Sequence, residues 1–204
     1  MKYTWLIDAG HGGFIGGEYV TGPAKMYEHS PEEIFYEGVF NRQIKDALLK
    51  ELWRNDIAAI DLCPTELDIP LKIRANIANL YYGMYDNCVG LSLHSNASPS
   101  HTGTGFEVHT GVGETRSDIF ARILGRILIL RFEGIKYRKG DVPGELDKDS
   151  LFYILHKTKC PWILPECLFY DNYGDYKMLI DPDFRIRYVN TLLEFIQTAE
   201  NENI

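Results

Sequence analysis

Two histidines occupy matching settings in this chain, each just past a short apolar run. His11 follows the run at 3–7 in Tyr-Thr-Trp-Leu-Ile-Asp-Ala-Gly-His-Gly-Gly, and His94 follows the run at 89–93 in Val-Gly-Leu-Ser-Leu-His-Ser-Asn. A third run, Trp-Ile-Leu at 162–164, leads into Pro165, Glu166 and Cys167. Short apolar runs of this kind read as buried strands. The polar residues then lie at the C-terminal edge of a sheet, where open α/β folds collect their ligands. Gly10, Gly12 and Gly13 let the chain around His11 turn tightly and approach a neighbour closely. Imidazole is both a base and a common metal ligand near neutral pH. Three strand ends thus bring two imidazoles and one carboxylate toward one sheet edge.

Two histidines and a carboxylate form a common ligand set for catalytic Zn²⁺, with a fourth position left to water. Zinc lowers the pKa of such a water toward ~7 and polarises a carbonyl. Amide hydrolysis by this route also needs a carboxylate off the metal that takes a proton. The residues alone leave open which glutamate is ligand and which is base. Two other chemistries lack their signatures: there is no HExxH helix and no GxSxG elbow. Cys167, beside Glu166, reads as an inert buried thiol, since nothing nearby would lower its pKa. Cys63, Cys88, Cys160 and Cys167 have no CxxC spacing and read as reduced core thiols.

The elements that must position these groups follow from periodicity. The stretch 14–36 is polar, contains Gly and Pro, and carries Tyr19, Tyr27, Phe35 and Tyr36 without a clear period. It reads as one long loop, a wall or lid of a site. Apolar residues at 40, 44, 47, 48, 52 and 53 predict a helix over 39–53. A strand at 57–62 follows, then a helix over 68–85 that Asp68 could cap, with Pro70 where its missing N–H costs little. Further strands are expected at 89–93, 103–110 and 162–164. A helix over 115–133 should turn Ile119, Phe120, Ile123, Leu124, Ile127, Leu128 and Leu130 inward. Residues 134–150 read as a loop, and the apolar run at 151–155 is too short to assign. A short helix at 173–180 precedes a final one over 183–199, with Ile186, Val189, Leu192, Leu193 and Ile196 inward. Strands alternating with helices predict an α/β layer fold, its mostly parallel sheet covered on both faces.

A chain of 204 residues suits one domain with a sizeable core. The formal net charge of −8 speaks against nucleic acid as partner. No run approaches the ~18 apolar residues of a membrane span. The first residues lack a long apolar region and a small-residue cleavage site, so no signal peptide is expected and the chain is expected to be cytoplasmic as synthesised.

Several motifs occur together and in order: IDAGHGG, Glu37 four residues before Asn41, Arg74-Ala-Asn ahead of LSLHSNAS, then GFEVHT and ILPECLFYDN. Together these resemble the zinc-dependent N-acetylmuramoyl-L-alanine amidases of the Amidase_3 type, over nearly the whole chain. The resemblance implies a three-layer αβα fold with a mixed, about six-stranded sheet, forming a single catalytic domain over 1–204. It implies a Zn²⁺ cofactor held by His11, Glu37 and His94, with Glu166 as catalytic base. The implied reaction cuts the amide between the lactyl group of N-acetylmuramic acid and L-alanine, so the expected partner is peptidoglycan. A phage or prophage lysin, released to act on the wall, would suit a leaderless chain. Glu37 is expected just before a helix, where the dipole favours a carboxylate; Glu18, Glu28, Glu32 and Glu33 are rival ligands. The connection at 12–36 is longer than the family's usual one. Asp8 is expected to brace the loop or contact His11, and Arg74 and Asn76 to hold their helix to its neighbours. Ser95 and Asn96 should orient the ligands or close a turn. His109 is expected to line the groove, pack or face solvent, and His29, His101 and His156 are given no role.

Overall fold

Strand β1 (Thr4–Ala9) is buried on both faces, as its unbroken apolar run predicts. Trp5 and Ile7 join one core cluster and Leu6 the other. The computed structural model describes residues 2–85, 87–140 and 144–202. Two small hairpins follow β1: β2 (Phe14–Ile15) with β3 (Glu18–Tyr19), and β4 (Met26–Ser30) with β5 (Glu33–Tyr36). Helix α1 (Glu37–Arg54), β6 (Ala59–Asp61), α2 (Leu71–Met84) and β7 (Cys88–Asn96) come next. They are followed by β8 (Glu107–Thr110), α3 (Arg116–Arg131), β9 (Lys148–Asp149), α4 (Tyr153–Lys157) and β10 (Trp162–Phe169). The chain closes with α5 (Tyr173–Ile180) and α6 (Pro182–Asn201).

Six strands make one sheet in the order β6-β1-β7-β10-β8-β9. The pairs are parallel except β8 with β10. Helices α1, α3 and α6 cover one face, burying Leu48, Phe120 and Phe195 with Trp5 and Leu91. Helices α2 and α4 cover the other, where Ala75, Ala78 and Ile154 meet Leu6, Trp162 and Leu164. This is the mixed, mostly parallel three-layer α/β arrangement expected.

The structure differs from the sequence expectations at several points. The stretch 14–36 is two antiparallel hairpins rather than one loop. The stretch 134–150 contains β9, which pairs with β8, while 141–143 lie outside the described residues. The run at 151–155 supplies much of α4. Strands β7 and β10 extend beyond their apolar runs, so His94 and Glu166 lie inside strands. Strand β8 begins at Glu107 because Gly105 breaks the run: it has φ 98°, and a Cβ there would lie 2.1 Å from the Lys136 carbonyl oxygen. Asp68 does not cap α2; Pro70 is the N-cap, and the Asp68 carboxylate accepts from Arg74 and Thr21 instead. Ile119, Leu130, Ile186 and Trp53 are exposed, because each falls outside the stripe its helix buries.

Candidate metal centre

The loop after β1 is gripped by two buried arginines. Arg74 pairs with Asp8 at 2.8 Å and donates to the carbonyls of Ala9 and His11. Arg42 donates to the carbonyls of His11 and Gly38. Asp8 also accepts from the Ser92 hydroxyl at 2.7 Å and the Cys63 thiol at 3.0 Å. Burial opposes its charge, but Arg74 and these hydrogen bonds prevail and hold its carboxyl below the usual range. Asp8 therefore braces the loop through Arg74. Held this way, His11 takes φ 66°, a left-handed conformation uncommon outside glycine.

Close approach explains two glycines. A Cβ on Gly10 would lie 2.1 Å from Cε1 of His94, so the ring rests on bare backbone. A Cβ on Gly38 would lie 1.9 Å from the Gly12 carbonyl oxygen, so α1 begins directly on the glycine loop. That contact places Glu37, the first residue of α1, beside both histidines. Its Oε1 lies 3.0 Å from His94 Nδ1 and 3.4 Å from His11 Nε2. Asn41 Nδ2 and the Ser95 N–H also approach Oε1, each at 3.4 Å. The two imidazole centroids are 5.1 Å apart and the rings nearly perpendicular. Burial opposes ionisation of Glu37, yet the two histidines prevail and hold its carboxyl far below the usual range.

His11, Glu37 and His94 each offer one ligand atom within 4.8 Å of the others. Among the described residues this is the one group of three or more His, Cys, Asp or Glu so placed. Glu18, Glu28, Glu32 and Glu33 do not join it; Glu33 pairs with Lys177 at 3.0 Å. Two atoms of the group, His11 Nε2 and Glu37 Oε2, are buried without a hydrogen-bond partner. Buried polar atoms are ordinarily satisfied. Two converging imidazoles and a carboxylate, with one ring nitrogen and one carboxylate oxygen left unsatisfied, fit a zinc ion.

Glu166 on β10 pairs in register with His94 on β7 and with Glu107 on β8. Directly paired residues share a face, so all three side chains leave the same side of the sheet. Glu166 Oε2 is likewise buried and unpartnered. Burial, and then the Glu37 carboxylate, push the Glu166 carboxyl well above its usual range, against the pull of Lys25. A cavity of about 240 Å³ opens here, lined by His11, His94, Glu166, Lys25, Leu71 and Phe152 among others.

Lys25 and Phe152 carried no recognisable sequence signal. Glu107, a carboxylate given no role from the sequence, stands on the same face. It accepts from Arg138, from Lys148 at 2.7 Å, from Asn96 at 3.0 Å and from His109 at 3.2 Å. These partners outweigh burial and pull its carboxyl down to about 2. Asn96 thus braces Glu107, whereas Ser95 donates its hydroxyl to the Cys167 carbonyl at 2.8 Å. His109 is buried in the same network, and His29 and His101 bond to the Tyr170 carbonyl and to Asp171. The Cys167 thiol is pushed well above its usual range by burial, as an inert core thiol should be.

The model of a protein family described as N-acetylmuramoyl-L-alanine amidase, Amidase_3, matches residues 6–198. Among solved structures, the chain is similar to the N-acetylmuramoyl-L-alanine amidase of Clostridium difficile 630. That likeness has 24% identity and a TM-score of 0.80, covering 99% of this chain and 98% of that one. The catalytic domain of the CwlV amidase from Bacillus (Paenibacillus) polymyxa var. colistinus gives 21% identity and a TM-score of 0.76, covering 98% and 99%. The catalytic domain of the CD27L endolysin targeting Clostridia difficile gives 20% and 0.69, covering 98% of each. A comparison with curated proteins finds no match. Among the described residues, no helix is long and apolar enough to cross a membrane.

Proposed function

The chain belongs to the N-acetylmuramoyl-L-alanine amidase family, and we propose that it performs the family's reaction as a zinc enzyme. The bond cut is the amide between N-acetylmuramic acid and L-alanine in peptidoglycan. In our reading His11, Glu37 and His94 hold the zinc, Glu166 is the base, and residues 1–204 form one catalytic domain. The observation that carries this is the meeting of three ligand atoms within 4.8 Å beside a buried, unpaired carboxyl.

A zinc ion held there would supply Lewis-acid chemistry, acidifying water and polarising a carbonyl. The residues of the chain do the rest. Glu166 takes a proton from the attacking water and passes it to the departing alanine nitrogen. Its raised affinity for a proton suits both halves of that task. Phe152 and Leu71 give the cavity an apolar side that limits water around the reacting bond. Asn41 and Ser95 keep Glu37 turned toward the histidines. The substrate places the enzyme's action at the cell wall, in lysis or remodelling, and the likeness to an endolysin catalytic domain supports use as a lysin.

The test combines zinc content with mass spectrometry of digested sacculi. One zinc per chain and freed muramic-acid ends are expected. Shortened stem peptides with intact muramoyl links would mean a peptidase and overturn the reading. Glu166→Gln should lower amide cleavage by at least about 100-fold while keeping the zinc. Activity that persisted in this variant would remove Glu166 from the role of base.

A further inference from the structure

Lys25 stands in the connection between the two hairpins, just before β4, in a left-handed conformation with φ 59°. Its carbonyl accepts from the Glu37 N–H at 3.0 Å and from the Tyr19 hydroxyl at 3.0 Å. Tyr19 Oη in turn accepts from the Gly38 N–H at 3.0 Å. The backbone of Lys25 is thereby fastened to the residue that begins α1. Its side chain is half-exposed and enters the cavity that His11, His94 and Glu166 line. Among the described residues lining that cavity it is the only lysine or arginine. Its Nζ is 3.9 Å from Glu37 Oε2, beyond hydrogen-bond reach, so the ammonium still has protons to donate into the cavity.

We propose that Lys25 is a further catalytic residue, its ammonium donating a hydrogen bond to the carbonyl oxygen of the scissile amide as that oxygen gains negative charge. The inference rests on the amidase reading above. During hydrolysis a water oxygen bonds the carbonyl carbon and the C–N bond breaks. The water's proton reaches the departing nitrogen through Glu166. Lys25 keeps its own proton throughout. A cation within reach of developing charge, in a cavity partly closed to water, stabilises the transition state more than it would in open solvent. Two hydrogen bonds to one carbonyl fix the backbone of Lys25 beside the cavity, so the side chain reaches the substrate from a set starting point.

The experiment compares the zinc-loaded chain with Lys25→Met and Lys25→Arg on a defined muramoyl-peptide. It also measures zinc affinity of each by competition with a chelator. Lys25→Met should lower kcat about 100-fold, leave KM within about threefold, and be partly rescued by Lys25→Arg. Its zinc affinity should equal or exceed that of the parent, because removing a cation near Glu37 relieves repulsion of the metal. A kcat within threefold of the parent overturns the proposal. So does weaker zinc binding that accounts for the lost rate, which would make Lys25 a support for Glu37. A rise in KM alone would assign it to substrate binding and likewise overturn it. If Lys25→Met fails to fold, Lys25→Gln, which also removes the cation, carries the comparison through the same kcat and zinc readouts. A parent chain that holds zinc yet cuts no muramoyl amide defeats the amidase reading itself, and the Lys25 role with it.

Discussion

Gly10 has no side chain because the His94 ring occupies the space where one would be. An added methyl carbon would stand 2.1 Å from ring carbon Cε1, and the neighbouring ring nitrogens would be 2.5 Å away. The backbone at Gly10 is itself held, its N–H bonded to the Leu93 carbonyl at 3.0 Å. The ring must therefore yield first. Gly10→Ala should leave the circular dichroism spectrum unchanged and weaken zinc binding at least about tenfold, the scale on which a misplaced ligand acts. A chelator titration of the variant against the parent checks this. An unaltered zinc affinity would show that the ring can move without loss of coordination. The same logic separates Glu37 from its rivals along 18–33. Only Glu37 starts a helix whose first turn rests on the glycine loop, so only its carboxylate is delivered between the rings.

The elements show why some of this arrangement was legible in the sequence and some was not. Strands β1, β7 and β10 announce themselves as apolar runs because both of their faces are buried. The polar residues just past those apolar runs, His11, His94 and Glu166, stood out for that reason. Glu37 drew attention only through a family resemblance, because an isolated E-x-x-x-N pattern has no period of its own. The hairpins at 14–36 were invisible, because strands of two to five residues show too little alternation. Lys25 was hidden with them. Strand β8 carries a further consequence. Its Glu107 is tied to Lys148 of β9 and to Arg138, with a folded pKa of about 2 against an ordinary 4.5. A lowered carboxylate pKa contributes stability that is complete above the ordinary value and is lost as pH falls through the folded one. Between about pH 4.5 and pH 2 the chain should therefore lose up to about 3 kcal/mol from this cluster. Glu107→Gln should unfold more readily than the parent at pH 7, and the gap should narrow by pH 3 in denaturant titrations. A gap independent of pH would show that the cluster is not what makes acid destabilising.

Taken whole, the molecule is one mixed sheet between two helical layers, with its candidate chemistry at one edge. Its three proposed ligands come from distant parts of the sequence: His94 lies 57 residues beyond Glu37, and His11 belongs to the loop after β1. An ion bound to all three acts as a crosslink between β1, α1 and β7, and an unfolded chain cannot offer such a grip. Free energy of coordination then becomes resistance to heat, growing as RT ln(1 + [L]/Kd) with free ion. Each tenfold excess of zinc over its Kd should add about 1.4 kcal/mol, raising Tm in calorimetry, and a chelator should reverse the gain. Loss of the ion should also free the start of α1, so the hairpins at 14–36 become the first place a protease cuts. A hydrolase built this way would carry its own durability gauge, reading ambient zinc as mechanical firmness.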